Sequence, residues 1–95
     1  MSTVNLAEVV AASARSDVSV LMLADELRLI GVRPEPFTVR QAELAGALIE
    51  RTRSFGLSLG DRACVALALE RDLPVLTADR AWQALDPLPE VRLIR

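Results

Sequence analysis

Between Gly56 and Leu85 the chain reads GLSLGDRACVALALERDLPVLTADRAWQAL, and no other stretch limits the fold as much. Ser58 ahead of Leu59 marks a helix start, with Asp61 at the third helical position and an apolar body running to Arg71. Residues 74–78 follow as a short continuous apolar strand of the kind buried in parallel sheets. Asp79 leaves that strand and opens a short helix over residues 79–85. In a parallel α/β sheet, helix starts and strand exits face one crevice. Carboxylates converging there can hold a hard cation such as Mg2+.

The rest of the chain supplies helices to surround such a sheet. Residues 1–4 are a short β-prone lead. Asn5 with Glu8 three residues on forms a capping-box pattern that opens a helix to about Ser13. Residues 17–30 carry Val18, Leu21, Met22, Leu27 and Ile30 at helical spacing, and Gly31 stops that helix. Pro34 and Pro36 make residues 32–39 an extended connector or a poor edge strand. Thr38 caps a third helix over residues 40–53, and residues 91–94 close the chain as a strand. One α/β domain over residues 1–95 is expected, a small parallel sheet flanked by helices.

Composition narrows the chemistry. There is no His, so Ser-His-Asp catalysis and His-ligated metals are excluded, and any metal must be held by oxygen. The one cysteine, Cys64, lies in an apolar run and reads as a small core residue. Net charge is −2, which gives no general basic footprint for nucleic acid. All 11 basic residues are Arg. Codon usage accounts for that by itself, although Arg is also the better bidentate partner for phosphate. The apolar runs are too short and too interrupted by charge for a signal peptide or membrane span, so a cytoplasmic protein is expected. With 52% hydrophobic residues in 95, some apolar surface is expected to meet a partner.

Three acids then carry the functional argument: Glu8, Asp61 and Asp79. Each has an innocent reading, since acids at helix starts complete capping boxes and favour the positive end of the dipole. Gathered at one sheet edge, the three would repel unless a cation neutralised them. One or two Mg2+ or Mn2+ ions so held would activate water for attack on a phosphodiester. Arg62 and Arg80, each directly after an acid, are either phosphate contacts or solvated surface residues.

Residues 5–9 (NLAEV), 57–64 (LSLGDRAC) and 74–82 (PVLTADRAW), in that order, resemble the PIN domain, and in particular its VapC-like toxins. The resemblance spans essentially the whole chain. It implies a Mg2+- or Mn2+-dependent endoribonuclease, usually dimeric, acting on RNA and inhibited by a cognate antitoxin protein. It assigns Glu8, Asp61 and Asp79 to the acidic metal site, and Thr77 to a polar position beside the last of them. It also implies a first strand carrying another catalytic Asp, a unit of about 30 residues or more. Here Met1 stands where the second strand should be ending. The domain is therefore expected to be N-terminally truncated, by an internal methionine taken as a start or by genuine loss, and weakly active or inactive alone. The rival expectation is a non-catalytic interaction module, whose apolar helices over residues 9–30 bind a second copy or an antitoxin while the acids only cap helices. A nucleic-acid-binding module without catalysis has little support from so acidic a chain.

Overall fold

A computed structural model describes residues 1–15, 22–77, 80–85 and 91–93. Its elements are α1 (Thr3–Ala14), α2 (Leu23–Leu29), α3 (Val39–Ala47), α4 (Leu59–Arg71), β1 (Val75–Thr77) and β2 (Val91–Leu93), with 3-10 turns at Arg53–Phe55 and Arg80–Ala84.

The helix α4 is the centre of the fold. Its buried positions, Gly60, Ala63, Val65, Ala66, Leu67 and Ala68, are spread around the helix, so it must be covered on more than one face. The elements α3, α1 and β1 all pack on it. Against α3 the contact runs antiparallel. Gln41 near the start of α3 donates to Glu70 Oε1 near the end of α4 at 2.9 Å, while Arg62 near the start of α4 donates to Ala45 O at 2.9 Å. Ala45, Ala63 and Ala66 are fully buried, and such small side chains let helix backbones approach closely. Beyond them, Leu48, Val65, Ala68, Val75, Trp82 and Leu85 form the apolar core.

The helix ends follow local chemistry. Ser58 and Asp61 close a reciprocal capping box, Ser58 N donating to Asp61 Oδ2 at 3.0 Å and Asp61 N to Ser58 Oγ at 3.1 Å. Asp72 ends α4 in the left-handed conformation at φ 51°, a region that Asp tolerates better than most residues. Thr38 caps α3 by accepting from Gln41 N at 3.1 Å.

Several expected boundaries move. Asn5 is not the cap of α1. Ser2 takes that place by accepting from Val4 N at 3.2 Å, so residues 3 and 4 are helical rather than strand, and Asn5 lies inside the helix. The third helix stops at Ala47 instead of about 53, where Thr52 Oγ1 donates to Leu48 O at 2.8 Å and the chain turns into Arg53–Phe55. Of the helix expected over residues 17–30, Leu23–Leu29 is helical, and residues 16–21 lie outside the described residues.

The described residues are mostly helical, and strand pairing is sparse. β1 and β2 pair in parallel with Val75 opposite Val91 and Thr77 opposite Leu93. Separately, Ser2 and Glu35 form an isolated parallel bridge, through Thr3 N to Glu35 O at 2.9 Å and Glu35 N to Met1 O at 2.8 Å. A groove of about 390 Å³ is lined by Met1, residues 31–33, Cys64, Leu67, Ala68 and residues 73–75. No helix among the described residues is long and apolar enough to cross a membrane.

Close packing at Ala45 has a measurable consequence. Ala45→Leu should lower the unfolding free energy by about 1–3 kcal/mol in urea, with an unchanged slope, because the added volume has no void to enter.

Candidate functional site

Glu8 is an exposed residue in the second turn of α1. Its carboxylate nevertheless lies against α4. A β-carbon built on Gly60 would have Glu8 Oε1, Oε2 and Cδ as its three nearest atoms, with Cδ at 2.6 Å. Asn5 joins the two helices at the same point, its Nδ2 donating to Glu8 Oε1 at 3.2 Å and to Gly60 O at 3.0 Å. Glu8 therefore sits at the start of α4, beside the residue that precedes Asp61. The partial positive charge of that helix end favours an anion there.

Asp61 is partly buried and accepts from Ser58 N. Its capping role is thus real, and it leaves the second carboxylate oxygen without a donor among the described residues. Glu8 Oε2 is in the same position. These are hard oxygen donors of the type that Mg2+ and Mn2+ prefer, so the chemistry of the set suits such an ion. Among the described residues no group of three potential ligands comes together. The third expected acid, Asp79, lies outside the described residues.

Thr77 is the last residue of β1, at the carboxyl end of that strand. Only three residues separate α4 from β1, and the two elements pack together. The chain therefore reverses at residues 72–74, which puts the start of α4 and the carboxyl end of β1 on the same side. Arg62 is engaged inside the protein, where NH1 holds Ala45 O and Nε is buried without a hydrogen-bond partner among the described residues. Arg80 begins the 3-10 turn after β1.

Cys64 lines the groove. Burial pushes its thiol up from the ordinary range, the Met1 ammonium pulls it partly back, and Asp61 adds to the rise. Such a thiol stays protonated at neutral pH and is a poor nucleophile.

Asn5 and Gly60 had no functional reading in the sequence. Asn5 was absorbed by its resemblance to a cap. Gly60 carried a faint signal, because glycine is a weak choice inside a helix where alanine would serve better.

The capping box can be tested apart from any metal. Ser58→Ala should cost about 1 kcal/mol of stability in chemical denaturation, by the same decrement with and without Mn2+.

No curated protein and no solved structure gives a significant match to the chain. The family model for the PIN domain matches residues 1–87. PIN domains have an α/β fold and are commonly nucleases that use divalent metals. By that match, which takes in both helix-borne acids and the segment following β1, the chain belongs to the PIN domain family.

Proposed function

We propose that the chain is a metal-dependent endoribonuclease of the VapC toxin type, acting on cytoplasmic RNA, with Glu8, Asp61 and Asp79 as metal ligands and catalytic acids. The observation that carries this reading is the Glu8 carboxylate held against Gly60, one residue from Asp61. Asp79 follows two residues after Thr77, beyond the carboxyl end of β1. In this reading the parallel pair β1–β2 and the bridge at Ser2 belong to one small parallel sheet with helices around it.

Held by Glu8, Asp61 and Asp79, a Mg2+ or Mn2+ ion would supply an acidified water and charge stabilisation for the leaving oxygen of a phosphodiester. The chain's own part is to present and orient. Glu8 and Asp61 offer their uncommitted oxygens, and Asp61 or Asp79 accepts a hydrogen bond from the attacking water. Thr77, Arg80 and Arg62 bind RNA phosphate, Arg62 with whatever its guanidinium can offer beyond the bond to Ala45. A cognate antitoxin and a second copy are the proposed protein partners.

The test is a Mn2+ titration read by thermal melting. The wild-type melting temperature should rise with Mn2+, as a ligand bound only by the native state requires, and Asp79→Asn should abolish the rise. Cleavage of single-stranded RNA in Mn2+ by the chain alone should be weak or absent, and whatever cleavage is seen should be lost in Asp79→Asn. Melting that ignores the metal in both proteins would remove the metal site from consideration.

The interaction-module reading is favoured by a separate observation. Helix α1 contains no fully buried residue, and Met22, Leu29 and Ile30 are 62%, 86% and 75% exposed. In this reading those side chains meet a second copy of the chain. Sedimentation should then show a dimer that Leu29→Glu returns to monomer, while Mn2+ leaves the melting temperature unchanged.

A further inference from the structure

A glutamate on an exposed helix face ordinarily samples many rotamers. Two other residues hold the Glu8 carboxylate where it lies. The Asn5 amide has two N–H groups, and Nδ2 directs them to Glu8 Oε1 at 3.2 Å and to Gly60 O at 3.0 Å. One small group thereby binds the acid of α1 to the backbone of α4. Gly60 does the complementary work by being empty. The carboxylate occupies the space where a β-carbon would stand, with Glu8 Oε2 at 2.5 Å and Cδ at 2.6 Å from that point. The φ of Gly60 does not lie in the left-handed region, so its backbone does not demand glycine, and alanine is the better helix former. The carboxylate accounts for the glycine.

We propose that Asn5 and Gly60 are positioning residues for Glu8. Asn5 fixes Oε1, and Gly60 leaves the space in which the carboxylate lies, so that Oε2 is presented for a divalent cation. The inference rests on the metal-site reading above. Partners that orient a metal-binding carboxylate commonly change affinity by about 10–100-fold when they are removed.

The experiment measures Mn2+ affinity on the full chain from the free-ion electron paramagnetic resonance signal, alongside melting without metal. Gly60→Ala should weaken Mn2+ binding about tenfold or more while the metal-free melting temperature stays level or rises. A purely structural glycine would give the reverse. Asn5→Ala should weaken binding similarly, and neither substitution should weaken it further when added to Glu8→Gln. The proposal is overturned alone if Glu8→Gln loses affinity while Gly60→Ala and Asn5→Ala bind as the wild type does, because Glu8 then finds the ion unaided. It falls at Gly60 if Gly60→Ala lowers the metal-free melting temperature instead. If Glu8→Gln itself binds Mn2+ unchanged, Glu8 is no ligand, and the proposal falls together with that part of the metal-site reading.

Discussion

The fold depends on α4 being buried along more than one face. A helix with only one apolar stripe can end a structure, but one with Gly60, Ala63, Val65, Ala66, Leu67 and Ala68 all out of water needs neighbours on several sides. Mostly small side chains make this feasible in a short chain, because partners can come close without long side chains between them. Where α3, α1 and β1 must lie follows from that one demand. The reciprocal cap of Ser58 and Asp61 fixes where the helix begins, and so fixes the end at which the acids collect.

Much of this was legible from residue types. The bounds of α4, its cap, and the parallel strand after it follow from Ser58, Asp61 and the apolar run at residues 74–78, each a local signal. The start of α1 is ambiguous in the sequence because Ser2 and Asn5 are both competent caps three residues apart, and the bond from Val4 N to Ser2 Oγ decides between them. Leu48 and Ile49 continue the apolar pattern of α3, yet the helix stops before them: Ile49 N donates to Gly46 O, and Ala45 O, its helical acceptor, takes Arg62 NH1 instead. The sheet is sparser than the pattern suggested. A run of β-prone residues shows that a strand can form and does not supply its partner.

The candidate site divides in the same way. Glu8 and Asp61 stand out as acids near helix starts, whereas what holds Glu8 in place spans the chain from Asn5 to Gly60. No window of local sequence contains that relation. The same geometry shows why a structural and a chemical role need not compete at Asp61. A cap engages one carboxylate oxygen, and the other stays available for different chemistry.

Helix α1 contributes no fully buried residue. Its first turns are tied to the rest of the molecule by the bridge at Ser2, Phe37 N donating to Thr3 Oγ1 at 3.0 Å, and the Asn5 contact with Gly60. Opening free energies within one protein range from near zero to the global value, and elements that bury little lie at the low end. Helix α1 can therefore open at less cost than the core around Leu48, Val65 and Trp82. An ion or partner that bridges α1 and α4 would pull against that opening and bind more weakly by the cost of suppressing it. Amide exchange along α1 would register occupancy of the bridge long before the global fold responded to it.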